Sequence, residues 1–284
     1  MSHILVLGST GTVGAHLSHL LVSQGHRVKG ATRSDTAHSV DGVDGVRFDF
    51  ADPDTFATAL KGVDGLFVLS PGGHADAYSL IKPFLDAASQ SSSLKRIVTM
   101  TAQGVDFSDE IPLRKLELAV EATGKTFVHL RPSWFNQNFH TYWGHGIREY
   151  DAITLPAEDA KVAFIDARDI AASAAAALTR DDIELNRAYV LTGPEALSHG
   201  EAAGILSEVL RRDITYTSID DEAFRAQLQP SGLPQDYIEL LVNLFAAVRM
   251  GTAAGVVDSV ETLTGEPHRT LMHYAKDHSA ELGK

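Results

Sequence analysis

The chain contains no cysteine. That absence removes thiolate nucleophiles, iron–sulfur clusters, Cys-ligated zinc and redox-active disulfides together. Long apolar runs are also missing. The alanine-rich stretch Ala171 to Leu178 is less than half of a membrane span. No targeting segment is visible, because the first apolar stretch, Ile4 to Leu7, is too short for a signal-peptide core. Positive charge is scarce: Lys and Arg number 24 against 37 Asp and Glu, a net charge of −13. Nucleic acids and anionic membranes are bound by neutralising phosphates, so neither is expected as a partner. An anionic ligand would have to be held by a local arrangement of donors. What remains is an ordinary composition, 44% hydrophobic and 21% charged. The expectation is a cytoplasmic enzyme or sensor for a small molecule, with its oligomeric state open, homo-oligomer included. The 284 residues suit one large domain, or one domain and a smaller lobe, with a core that needs no staples.

The first half alternates short β-branched runs with amphipathic stretches. Strands are expected at 4–7, 26–32, 46–50, 65–69, 96–100 and 126–130. Helices are expected at 14–24, from Pro53 to near Gly62, at 75–90 and at 113–122. This alternation implies βαβ units and, with right-handed crossovers, a doubly wound parallel sheet of Rossmann type, an α/β fold. The second half changes character. Residues 134–150 are aromatic and read as irregular. A strand at 162–165, a helix at 170–178 and a returning strand at 188–191 follow, and helices dominate from Ser198, with one strand candidate at 214–217. The expected division is a Rossmann domain of residues 1–132 and 151–192 and a smaller, mostly helical lobe of residues 133–150 and 193–284. The ligand cleft is expected between them.

Gly8-Ser9-Thr10-Gly11-Thr12-Val13-Gly14 lies between the first strand and the first helix. A dinucleotide loop belongs there. Glycines permit the tight turn and let backbone N–H groups approach a pyrophosphate. The helix N-terminus adds a favourable dipole, and Gly14 lets the helix pack on the sheet. The competing reading is a glycine-rich turn with no ligand. The second strand ends Ala31-Thr32-Arg33-Ser34. A carboxylate there would favour NAD; Arg33 instead suits the 2′-phosphate of NADP(H), with hydroxyls from Thr32 and Ser34 beside it. Asp35 comes too late to be the ribose acid. Asp49 and Phe50, after the third strand, suit an adenine edge, against the alternative of a helix cap.

The aromatic stretch Trp134, Phe135, Phe139, Tyr142 and Trp143 has two readings. It could wall a site for a flat substrate, or it could simply pack the lobe. Asn136 and Asn138 supply polar groups in either case. Arg131 and Pro132 read as positional residues at a strand end, and Asp166, Arg168 and Asp169 as a helix start. Gly124-Lys125-Thr126 is not a P-loop, since it runs from helix into strand. His16 with His19, and His140 with His145, lack metal-site spacing, so no metal is expected. No Gly-x-Ser-x-Gly nucleophile elbow occurs.

The whole chain resembles the NmrA-like group of atypical short-chain dehydrogenase/reductases. Within it, the chain is similar to type 2 NAD(P)H:quinone oxidoreductases and triphenylmethane-reductase-like proteins. The carrying residues are Gly8, Gly11 and Gly14, Arg33, Ser70-Pro71-Gly72 after the fourth strand, and Thr101 after the fifth. Arg131-Pro132-Ser133-Trp134-Phe135-Asn136-Gln137-Asn138-Phe139, Phe164 to Ala171 and Gly232-Leu233-Pro234 extend the match. The resemblance implies that Ser70, Pro71, Gly72 and Thr101 join the NADP(H) site, and that Pro132, Trp134, Phe135 and Asn138 line the substrate site.

Typical short-chain reductases place a Tyr-x-x-x-Lys pair on the helix after strand five, where Tyr polarises a carbonyl and Lys lowers its pKa. Here Leu113 and Glu117 hold those positions, and Lys115, two residues before Glu117, is about 200° around the helix. Thr101, at the helper-serine position, is the candidate left to hydrogen-bond a substrate oxygen. A Tyr-x-x-x-Lys string does occur at Tyr78 to Lys82, on the wrong helix. The implied activity is an NADPH-dependent reductase passing hydride to a small electrophilic acceptor of quinone, dye or imine type. The alternative is a non-enzymatic NADP(H)-binding redox sensor that regulates a partner.

Overall fold

Unbroken apolar runs build the central strands, because helices cover the sheet on both faces. In the computed structural model, which describes residues 1–33 and 40–283, the strands are β1 (His3–Val6), β2 (Arg27–Thr32), β3 (Val43–Arg47), β4 (Gly65–Leu69), β5 (Arg96–Met100), β6 (Thr126–Pro132) and β9 (Arg187–Leu191). They form one parallel sheet in the order β3-β2-β1-β4-β5-β6-β9. The helices between them are α1 (Gly14–Ser23), α2 (Phe56–Leu60), α3 (Ala77–Ser89), α4 (Pro112–Glu121) and α6 (Ala167–Thr179). Alternate residues of each strand face opposite layers. Leu5, Leu66, Val68 and Ile97 join Phe84, Leu116 and Val120 in one core cluster under α3 and α4. On the opposite layer α1 packs against the alanine-rich α6, which also meets α10 (Ser259–Thr264).

Chain order reverses direction across β1, with β2 on one side and β4 on the other. Ligands of open α/β sheets bind outside the carboxyl ends of the strands at such a point. Here those ends are Gly8, Arg33, Ser70 and Thr101, in register through Val6↔Phe67 and Leu69↔Met100.

β3 lies earlier than the expected 46–50. Its exposed edge pairs with β2 through Gly30↔Gly45 and ends at Arg47. Phe48 and Phe50 follow the ladder and turn into a ring cluster with Phe84, 4.8 and 6.0 Å away. Their hydrophobicity reflects that cluster and not a strand.

The chain divides into two compact units: Met1–Pro132 with Ala167–Val190 and Ser259–Gly265, and Ser133–Asp166 with Leu191–Asp258 and Glu266–Lys284. The second contains α5 (Gly144–Tyr150), β7 (Ala152–Leu155), β8 (Lys161–Val162), β10 (Leu197–Ser198), α7 (His199–Leu210), β11 (Thr215–Ser218), α8 (Asp221–Leu228), α9 (Gln235–Arg249), α11 (Leu271–Asp277) and α12 (Ser279–Leu282). β7 pairs with β11 in parallel and β8 with β10 antiparallel. The expected strand at 162–165 is reduced to β8 and a bridge between Phe135 and Ile165. Residues 134–150 are not irregular: a 3₁₀ turn at Asn136–Phe139 leads into α5. Gly144 and Gly146 hid that helix, since glycine is a poor helix former. At Gly146 a Cβ would stand 2.6 Å from the carbonyl oxygen of Ala152. Among the described residues no helix is long and apolar enough to cross a membrane.

Candidate functional site

The glycine turn is built to leave its surface open. Gly8 adopts φ +64°, a left-handed conformation that favours glycine. The N–H of Gly11 donates to the carbonyl of Gly8 at 2.9 Å and closes the turn. A Cβ on Gly14 would stand 2.1 Å from that same carbonyl, so α1 seats on the turn only with glycine there. Ser9 is buried, and its hydroxyl donates to the carbonyl of Ala31 at 3.0 Å, tying the turn to β2. Gly8, Thr10, Gly11 and Thr12 remain exposed. Val13, also buried, precedes α1, whose start has no side-chain cap and no acid in its first turn. An open turn at an uncapped helix start fits a pyrophosphate.

Arg33 follows β2 directly and is exposed, with no ion-pair or hydrogen-bond partner among the described residues. Ser34 and Asp35 lie outside the described residues. Asp49 closes a local turn, accepting from the N–H of Ala51 at 2.9 Å, while its carbonyl accepts from the Thr55 hydroxyl. Asp52, not Asp49, caps the turn that begins at Pro53. Phe50 is half-buried against Phe48 and Phe84. Ser70 and Pro71 are half-buried and Gly72 is exposed, directly after β4.

The position that typical short-chain reductases give to lysine holds a buried ionic network instead. Glu117, on α4, is wholly buried. Arg131, at the end of β6, grips it in bidentate fashion, with Nε to Oε1 at 3.0 Å and Nη2 to Oε2 at 2.7 Å. Arg114 adds a bond to Oε2 at 2.9 Å. The Thr101 hydroxyl donates to Oε1 at 2.7 Å. Burial alone would raise the Glu117 pKa, but the bonds from Arg131 and Thr101 prevail and hold it below the usual carboxylate range. Arg131 also meets Asp106 at 2.6 Å.

Two sequence expectations change here. Thr101 spends its one hydroxyl proton on Glu117, so it is not a free donor to a substrate oxygen. Arg131 is the partner of a buried carboxylate, more than a residue that shapes the strand end. The sequence hinted at this only through Glu117 standing in a lysine position. Leu113 is half-buried against the apolar core. Lys115 is tied to Glu110 at 2.6 Å and Lys82 to Asp86 at 2.5 Å. The Tyr78-x-x-x-Lys82 string therefore has its lysine engaged on its own helix.

The aromatic stretch divides between roles. Phe139 is fully buried and packs the core, and Tyr142 is exposed on the surface. Trp134 is half-buried, stacked on Trp143 at 6.2 Å and tilted against Phe245 at 4.7 Å. Phe135 and Asn138 are also half-buried. The backbone of Asn138 is used within the turn, its carbonyl accepting from Trp143 at 2.9 Å. Pro132 is buried at the end of β6, its carbonyl accepting from Gln103 at 3.0 Å. Asn136, which the sequence offered as a polar group, and His199, which it did not mark, stand out. Asn136 is wholly buried, and its side-chain amide has no hydrogen-bond partner among the described residues. His199 is buried among Trp143, Phe164 and Tyr216, and neither ring nitrogen has a hydrogen-bond partner among the described residues. No group of acidic or histidine side chains among the described residues could hold a metal.

Residues 1–272 match the model of the NmrA-like family. An NAD(P)H azoreductase of Xenophilus azovorans is 33% identical over 288 residues, covering 99% of this chain and 99% of that protein. An NADPH-dependent quinone oxidoreductase of Escherichia coli, solved with NADPH, has a TM-score of 0.83 at 22% identity, covering 98% of this chain and 99% of its own. Triphenylmethane reductase of Citrobacter sp., solved with NADP(H), has a TM-score of 0.81 at 24% identity, covering 96% of this chain and 99% of its own. The last two are likenesses of fold.

Proposed function

The chain belongs to the NmrA-like family, and from that footing we propose that it is an NADPH-dependent reductase of small, electrophilic, aromatic or conjugated acceptors. Bound NADPH supplies a hydride. The turn from Gly8 to Gly14 takes the pyrophosphate and Arg33 the 2′-phosphate. Asp49 and Phe50 border the adenine, and Ser70, Pro71, Gly72 and Thr101 border the nicotinamide half. Pro132, Trp134, Phe135 and Asn138 contribute to acceptor binding.

The observation that carries the acceptor class is the network around Glu117. Leu113 has no proton to give, Thr101 has given its proton to Glu117, and Glu117 is an ion-paired carboxylate. A simple ketone needs a proton donor at its oxygen as hydride arrives. Quinones, azo and triarylmethane dyes, iminium ions and conjugated carbonyls accept hydride with position and their own electrophilicity doing most of the work. The azo-reducing relative is of that kind.

An NADPH-oxidation screen across these acceptors and an unactivated ketone tests the reading. Turnover is expected with at least one electrophile and none with the ketone, and Tyr78→Phe should leave turnover nearly unchanged. Ketone reduction that falls roughly a thousandfold in Tyr78→Phe would place a tyrosine acid in the site and overturn the reading. Firm NADPH binding with no turnover of any acceptor would favour the regulatory sensor.

A further inference from the structure

A carboxylate offers only acceptors, and a hydroxyl carries one proton. Four donated bonds converge on Glu117: from Arg131 Nε and Thr101 Oγ to Oε1, and from Arg131 Nη2 and Arg114 Nη1 to Oε2. Arg131 and Arg114 hold the group ionised, so the Thr101 proton always has a partner inside the protein. What Thr101 has left to offer a ligand is its lone pairs. Thr101 directly follows β5 and Arg33 directly follows β2, across the reversal point at β1. The two are three strand spacings apart, about 14 Å, which is the scale of an extended dinucleotide.

We propose that Glu117 is a positioning residue that fixes Thr101 as a hydrogen-bond acceptor for the nicotinamide half of NADPH. The inference rests on the cofactor placement given under Proposed function. The donor that Thr101 meets is the carboxamide N–H, since a ribose hydroxyl, which can also accept, could turn to take a proton aimed outward by Thr101. In this arrangement the fold uses an acidic residue where a lysine would act as donor. It anchors the cofactor and gives up the proton donation that a carbonyl substrate would need.

The experiment measures binding, not turnover. NADPH and adenosine 2′,5′-bisphosphate, which lacks the nicotinamide half, are titrated into wild type, Thr101→Val, Thr101→Ser, Glu117→Gln and the Thr101→Val/Glu117→Gln double variant. Thr101→Val should weaken NADPH about tenfold, the worth of one hydrogen bond, and leave the bisphosphate unchanged. Thr101→Ser should restore NADPH binding. In Glu117→Gln the amide oxygen turns to the two guanidinium donors on the Oε2 side, so its NH₂ faces Thr101. Thr101 must then accept from the amide and aim its proton outward at another donor, so NADPH should weaken at least as much. The double variant should be no weaker than Glu117→Gln alone, because both act through one contact. Glu117→Asp, one methylene shorter, keeps the charge between the arginines but withdraws from Thr101. It should reproduce the nicotinamide-selective loss if the glutamine variant folds poorly. 2′-Phospho-ADP-ribose, which keeps the ribose but lacks the carboxamide, should escape these losses; if it shares them, the carboxamide contact is overturned.

Bisphosphate affinity falling in step with NADPH would reduce Glu117 to a structural ion pair and overturn the proposal. So would additive losses in the double variant, or wild-type NADPH affinity in Thr101→Val. The expected binding pattern without turnover of any acceptor would sink the reductase reading and leave this inference standing. Turnover without the pattern would do the reverse.

Discussion

His199 is buried among rings 5.3 to 5.6 Å away, with neither nitrogen partnered among the described residues. It opens α7 behind a capping box formed by Ser198 and Glu201. Burial pushes its pKa from 6.5 down to about 4. A lowered folded pKa means that the native state refuses a proton which the unfolded chain accepts. Stability linked to His199 is thus full above pH 6.5 and is lost as pH falls from 6.5 towards 4. The whole effect is about 3 kcal/mol. His129 and His140 are also pushed down by burial, so wild type alone would not isolate it. His199→Phe should flatten the fall: unfolding free energies by urea at neutral pH and near pH 5 should converge on, or cross in favour of, the variant as pH drops. Parallel lines would show that His199 titrates normally. Nothing in the sequence marked this residue, because its environment is assembled from segments far apart in the chain. Glu117 and Arg131 were marked one at a time, but their bidentate contact was not, because it exists only once α4 lies on β6.

Secondary elements were more legible than contacts. Strands at Gly65–Leu69 and Arg96–Met100 fall where the apolar runs place them, because both are central and buried on both faces. β3 is an exposed edge, and there the apolar signal followed Phe48 and Phe50 into a ring cluster. α5 was hidden by its glycines. The glycine turn was the clearest element, and its geometry separates two kinds of substitution. Gly14→Ala drives a Cβ to 2.1 Å from the Gly8 carbonyl. The turn or α1 must move, and overpacking of this kind costs about 1–3 kcal/mol. Both stability and NADPH binding should fall. Gly11 is exposed, and its Cβ would meet only the Gly8 oxygen, at 3.2 Å. Gly11→Val should change stability by less than about 1 kcal/mol, yet its branches fill the space a phosphate needs, so NADPH binding should be lost. Urea unfolding beside NADPH titration reads both. Normal NADPH binding by a folded Gly11→Val protein would place the phosphates elsewhere.

Over the whole molecule, a polyanionic cofactor approaches a chain of net charge −13. Long-range repulsion and local attraction then respond to salt in opposite directions. The Debye length shrinks from about 30 Å at 0.01 M to about 8 Å at 0.15 M, so added salt first removes the repulsion from the distant acidic surface. A contact between Arg33 and the 2′-phosphate lies inside even the shorter length and is weakened less. In wild type the two effects offset and NADPH affinity should vary little with salt. Arg33→Ala should bind NADPH roughly ten- to a hundredfold more weakly at low salt, the loss of about 1.5–3 kcal/mol from one charge-assisted contact. In that variant mainly repulsion remains, so its affinity should rise as salt is added and the gap to wild type should narrow. NADH, which lacks the 2′-phosphate, should bind the two proteins alike at every salt concentration. Dissociation constants for both cofactors and both proteins at low and physiological salt are the measurement. Parallel salt dependences for NADPH in wild type and Arg33→Ala would mean that the 2′-phosphate does not reach Arg33, and that the acidic chain holds its cofactor with donors from elsewhere.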